Sequence, residues 1–183
     1  MFALYSLIRS AMEASSLALW ILDAKSEDLA ASRTLRIYRQ NIESDRTLWK
    51  TVVGRHSGDH PTLASTAEAT HRSLRGIDHS CFEDAVKSTA VIEVTDRVHP
   101  SGTNAMAVLT GLEVWRICSA VTHANQVSLL NIMERHPEAP RGGSVTRTSR
   151  VSFVAACYST ALNRTSLLID AFQFRSQLRR TAR

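Results

Sequence analysis

The sequence predicts an all-α protein, a helical bundle of five or six helices. Apolar residues recur at spacings of three and four over long stretches, no alternating run bounded by hairpin residues is present, and Gly and Pro gather in a few short loops. With 183 residues, 44% hydrophobic and 21% charged, the chain reads as a single domain over 1–183. Its first helix starts without a cap or lead-in, the mark of a bundle that has lost an upstream helix or of a misplaced start.

Phe2 to Leu22 carries Leu4, Tyr5, Ile8, Met12, Leu17, Trp20 and Ile21 on nearly every face and holds no Gly or Pro, so it reads as a buried helix. After a turn at Asp23 to Ser26, a Ser26 cap with Glu27 and Asp28 in the first turn opens a second helix reaching about Val53. Leu29, Leu35, Ile37, Tyr38, Ile42, Leu48, Trp49 and Val52 mark its apolar face, with Arg33, Arg36, Arg39 and Glu43 mostly opposite. Gly54 to Pro61 is a loop, and a shorter helix from about Thr62 to Leu74 stops near Gly76. Ser80 and Glu83 have capping-box spacing, which predicts a helix from Cys81 to about Val94, with β-branched residues weakening its last turn.

Pro100 to Asn104 breaks the chain again. Ala105 to about His136, the most apolar segment, reads as a long central helix closed by Pro137. A loop with Gly142 and Gly143 and an extended connector from Val145 to Arg150 lead to a last helix, Val151 to Arg180. Its apolar stripe is Val154, Tyr158, Ala161, Leu168 and Phe172.

The longest uncharged apolar stretch, Ala14 to Leu22, is about half of the ~20 residues that a bilayer span needs, so no membrane segment is expected. Glu13 interrupts the same region, and no small-x-small cleavage site follows Leu22, which argues against a secretory signal. Cys81, Cys118 and Cys157 are odd in number and far apart, as expected of reduced thiols in a cytoplasmic protein, and each suits a small core position. The net charge of +5 is uneven: residues 1–100 carry 12 Lys or Arg against 13 Asp or Glu, whereas residues 101–183 carry 10 Arg and only Glu113, Glu134, Glu138 and Asp170 as acids. A polyanion would be met in the C-terminal half, unless the excess reflects only a preference for Arg.

Arg116 and His123 are seven residues apart, so on one helix they project from nearly the same face about 10 Å apart along the axis, with Ser119 between them. The pair suits phosphodiester chemistry: an imidazole ordinarily titrates near neutrality and exchanges protons, and a guanidinium stabilises charge on a phosphate. Trp115, Ile117, Cys118 and Val121 around them predict a buried setting. There, a structural role is equally open, with Arg116 reaching Glu13 or Glu113 and His123 satisfied in the core. Arg9 and Glu13, one turn apart on the first helix, either pair to seal the core or support the same polar stripe. Arg175, Arg179 and Arg180, with Arg183, complement the dipole of the last helix or form a phosphate-contacting surface. His56 and His60 lie in a loop with no third ligand in view, so no metal site is read, and nothing implies a cofactor. No G-x-x-x-x-G-K, G-x-G-x-x-G or G-x-S-x-G run is present.

The run Leu7-Ile8-Arg9-Ser10-Ala11-Met12-Glu13-Ala14 with Leu19-Trp20-Ile21-Leu22-Asp23 resembles the first core helix of bacterial helical proteins related to the abortive-infection and HEPN-like families. Trp115-Arg116-Ile117-Cys118-Ser119-Ala120-Val121-Thr122-His123 resembles a later helix of that group, and its Arg-to-His spacing fits the loose HEPN pattern, with Ile117 where a polar residue is common. The resemblance is confined to these two patches of the chain. The resemblance implies a helical bundle, often a homodimer, that binds or cleaves RNA without a metal as a toxin or phage-defence component with a cognate antitoxin. It equally admits a non-catalytic helical scaffold.

Overall fold

A computed structural model describes residues 2–53, 60–100, 109–123, 133–135 and 147–181. Among these lie six α-helices: α1 (Phe2–Leu22), α2 (Glu27–Val53), α3 (His60–Ser73), α4 (Ser88–Val98), α5 (Gly111–Thr122) and α6 (Val151–Thr181). A 3-10 turn (His79–Glu83) precedes α4, and two three-residue strands, β1 (Met133–Arg135) and β2 (Arg147–Ser149), form an antiparallel ribbon that pairs Glu134 with Thr148. The all-α class follows from the apolar spacing. The sequence reads as one domain, and the contacts gather into two compact units, one of Met1–Leu19 with Val91–Arg183 and one of Trp20–Ala90.

In the first unit, Tyr5, Ile8 and Met12 of α1 pack with Val114, Cys118 and Val121 of α5 and with Cys157 and Ala161 of α6. Spacings of three and four put each set on one side of its helix. Each large aliphatic or aromatic side chain removed from water here contributes roughly 1.5–3 kcal/mol. A capping box starts α5: the Thr110 hydroxyl accepts the Glu113 N–H at 3.2 Å, and the Glu113 carboxylate accepts the Thr110 N–H at 2.8 Å. A further orphan donor at this terminus, the Leu112 N–H, is taken by Asp96 Oδ2 of α4 at 2.8 Å.

The same Asp96 forms an ion pair with Arg164 of α6, whose side chain is fully buried. Arg164 Nε and Nη1 have no hydrogen-bond partner among the described residues, so the carboxylate is the principal compensation for this buried cation. Gly111 sits against the pair. A Cβ there would stand 2.6 Å from Arg164 Nη2, 2.6 Å from Asp96 Oδ1 and 2.8 Å from Met12 Cε, so glycine is needed for the close approach.

In the second unit, α2 packs on α3 and on the 3-10 turn, burying Ser32, Ile42, Ala67, His71, Phe82 and Val86. The α2 arginines that the sequence places on a free polar face are engaged instead. Arg33 lies over the Trp20 ring and donates to the Trp20 carbonyl. Arg39 lies over Phe82 and donates to the Glu83 carbonyl at 3.1 Å, and the Gln40 side chain accepts the Val86 N–H at 2.8 Å. Positions 33, 36, 39 and 40 share one helix face, so their long stems cover apolar surface while their heads tie down the segment after α3. That segment leaves α3 through Gly76, at φ 66°, a left-handed conformation that glycine adopts without a Cβ penalty.

Three expectations are corrected. No helix runs from Cys81 to Val94: the Asp78 carboxylate accepts both the N–H and the hydroxyl of Ser80, which spends Ser80 in a short turn, and Asp84 is extended at ψ 130°. The long central helix is also absent as drawn. The capping box starts α5 at Gly111, the His123 N–H closes it onto the Ser119 and Val121 carbonyls, and Met133–Arg135, inside the predicted span, is a strand; residues 105–108, 124–132 and 136 lie outside the described residues. On α6 the inward stripe is Cys157, Thr160, Ala161 and Arg164, while Tyr158 and Phe172 are exposed. The polar Thr160 and Arg164 on that inward face hide the stripe from a pattern built on apolar residues alone.

Replacing Asp96 by Asn keeps an acceptor for Leu112 and deletes the countercharge, so urea denaturation of Asp96→Asn is expected to show a loss of about 3–5 kcal/mol. Adding Arg164→Met to that variant is expected to recover part of the loss. Additive losses in the double variant would show that the two side chains do not act as a pair.

Candidate functional site

Val114, Cys118 and Val121 turn α5 inward, and Arg116 stands about 200° around the axis from Val114. Arg116 and His123 are therefore both exposed, not buried as their apolar neighbours suggest. Their seven-residue spacing keeps them on one face, His123 serving as the C-cap residue of α5. Neither side chain is engaged by another described residue, so a guanidinium and an imidazole face solvent on the same side of one helix. Ser119 lies between them, half-buried, with its carbonyl spent on the His123 N–H.

The supporting residues of α1 divide. Arg9 is half-buried with its guanidinium 5.4 Å from the centre of the Trp115 ring, a cation–π contact that joins α1 to α5 next to Arg116 in sequence. Its Nε is buried without a hydrogen-bond partner among the described residues. Glu13 is half-buried one turn further along. The Glu113 carboxylate, an alternative partner for Arg116, is held in the capping box. Arg175, Arg179 and Arg180 all fall in the last turns of α6, with Arg175 half-buried and Arg180 exposed.

A second cluster, in the unit Trp20–Ala90, escapes the sequence reading. Glu68, His71, Arg72, His79, Ser80, Phe82 and Glu83 line a cavity of about 470 Å³. His71, on α3, is 1% exposed, with its Nε2 2.8 Å from the Ser32 hydroxyl of α2 and its Nδ1 3.4 Å from Nδ1 of His79. The two imidazoles meet edge to face at 84°, and the His71 ring lies 4.5 Å from that of Phe82. The only sequence signal was Glu68-x-x-His71, two groups on one helix face. Their partners come from 39 residues upstream at Ser32 and eight downstream at His79, beyond any local pattern.

Burial lowers the pKa of His71, and the neighbouring His79 imidazole and then the Arg36 guanidinium push it the same way. The native state therefore holds His71 neutral where the unfolded chain, with the ordinary value of 6.5, takes up a proton. Stability from this group is whole above about pH 6.5 and drains away as the pH falls through the lowered native value. Glu68 and Glu83 at the cavity wall and Arg72 beside them set the rest of the local field. Thermal melts between pH 7.5 and pH 5 are expected to show a falling midpoint, with a flatter profile in His71→Gln; equal slopes in the two proteins would remove His71 as the cause.

No protein-family model matches the chain, and neither a curated protein nor a solved structure matches it.

Proposed function

We propose that the chain is a HEPN-like helical domain that binds or cleaves RNA through the α5 face, with Arg116 and His123 as its reactive groups. The observation that carries this reading is their shared exposure: two ionisable side chains that no other described residue engages, about 10 Å apart along one helix, on the side away from its core seam. A phosphate chain crossing that face meets a guanidinium that neutralises it and an imidazole that gives or takes the proton of a ribose hydroxyl or leaving oxygen. The chemistry needs no metal. Arg9 on Trp115 supports the helix, with Glu13 of α1 and Ser119 of α5 as further supporting residues, and Arg175, Arg179 and Arg180 supply a sequence-independent attraction that weakens with salt.

A cytoplasmic setting, a homodimer that doubles the site, and a cognate antitoxin belong to the same proposal. Among the described residues no helix is long and apolar enough to cross a membrane.

A second reading, a non-catalytic helical scaffold, draws on the employment of the neighbouring polar groups. Arg9 is stacked on Trp115 and Glu113 caps α5, so both hold the bundle together.

The readings part on one experiment. In Arg116→Ala and His123→Ala, loss of cleavage or binding of a single-stranded RNA, with thermal midpoints within about a degree or two of the parent, is expected, because exposed substitutions cost within about 0.5 kcal/mol. A parent protein that neither binds nor cleaves RNA at low salt would leave the scaffold.

A further inference from the structure

We infer that the cleft between α3 and the 3-10 turn is a binding site for a divalent transition-metal ion, with His71 and His79 as ligands through their Nδ1 atoms and Glu68 as the third protein ligand.

The separation of the two nitrogens is the first argument. At 3.4 Å it is a long hydrogen bond, beyond the 2.7–3.2 Å usual for N–H donors on oxygen. It equals the edge of a coordination tetrahedron: two nitrogens each about 2.0–2.1 Å from zinc at the tetrahedral angle stand about 3.3–3.4 Å apart.

The surroundings of His71 are the second. A ligating imidazole needs its other nitrogen held by an acceptor, which fixes the tautomer and leaves the lone pair on the ligating side. The hydroxyl of buried Ser32 stands 2.8 Å from His71 Nε2 and is able to accept from it, and Nδ1 is the nitrogen turned toward His79. Phe82 packs on the same ring and limits its rotation. His79 lines the cavity and is itself exposed, which provides the route of entry.

The carboxylate is the third. Glu68 precedes His71 by three positions on α3, so both project from one face into the cavity, and its present partner is Arg72 in an exposed pair of little worth. Among the described residues no three His, Cys, Asp or Glu side chains stand together at metal-holding distances. Binding therefore includes a rotation of Glu68 away from Arg72 onto the ion, with water in the fourth position. Two imidazoles and a carboxylate suit zinc and its first-row neighbours and discriminate against magnesium and calcium, which prefer oxygen.

The test uses the full-length chain stripped with a chelator and titrated with zinc chloride by calorimetry, with cobalt(II) followed by its visible absorption. One equivalent is expected to bind, to raise the thermal midpoint and to give the intense bands of tetrahedral cobalt. His79→Ala replaces an exposed residue and is expected to keep the fold and lose binding by more than the about 10- to 100-fold typical of an outer-shell loss, whereas Ser32→Ala falls within that range. Arg72→Ala, which frees Glu68, is expected to bind more tightly than the parent. Absence of a one-equivalent transition in the parent, or zinc binding by His79→Ala as tight as the parent's, overturns the inference, the second outcome assigning the ion to other surface histidines.

Discussion

A charged guanidinium with no exposure to water must carry its countercharge with it, and the first compact unit is arranged around meeting that demand for Arg164. Burial pulls its pKa down only to about 10, so the group is still a cation at neutral pH. Asp96 supplies the negative charge from α4 and spends its second oxygen on the Leu112 N–H, so one carboxylate fixes α6 against the start of α5. Sliding α6 by one turn would move Arg164 about 5.4 Å along the axis and strand both charges. Apolar packing alone sets no such penalty. The pair thus fixes register, and Gly111 gives it the room to form.

Because the N-terminus of α5 is pinned there, the rotation of the whole helix is determined. Val114, Cys118 and Val121 fall inward, and the outward face is left for whatever residues stand two positions from them. Cys118 and Cys157 meet in this core, the Cys118 thiol donating to Cys157, which together with burial pushes its own pKa up. Cys118 and Cys157 take the small core positions expected of them, whereas Cys81 is half-buried on the 3-10 turn with its thiol donating to the Asp78 carbonyl. Arg116 and His123 owe their exposure to this rotation, and removing their side chains touches none of the contacts that produce it.

The readable parts of the fold are those in which one local signal suffices. Uninterrupted apolar spacing gives α1 as Phe2–Leu22, and the Ser26 cap with its acidic first turn gives α2 to Val53. The Ser26 hydroxyl does accept the Leu29 N–H at 3.1 Å. Misreadings arise where two local signals compete. Ser80 and Glu83 have the spacing of a capping box, yet Asp78 two residues earlier captures Ser80, and the true box, Thr110 with Glu113, lies within a run that hydrophobicity alone treats as helix interior. The Arg164–Asp96 pair was out of reach because its members are 68 positions apart and each resembles an ordinary surface charge in sequence. The same limit applies to the candidate sites: the Arg116–His123 face is legible from spacing along one helix, whereas the histidine cleft is assembled from three segments.

That cleft depends on a short turn holding its shape, and a five-residue 3-10 turn has too few backbone hydrogen bonds to do so unaided. The missing restraint comes from α2, whose side chains bind the backbone of the segment at successive points. Arg36 donates to the Asp84 carbonyl, Arg39 to those of Phe82 and Glu83, and Gln40 accepts from Val86. These anchors are charge-assisted for the arginines and fall on both the turn and the stretch that follows it. With Phe82 buried under Arg39, His79 is presented from a fixed base although its own side chain is exposed. The ordering entropy is met once, by residues remote from the imidazoles, so a ligand arriving between His71 and His79 meets one ring that is buried and hydrogen-bonded and a second whose nitrogen is already 3.4 Å from it.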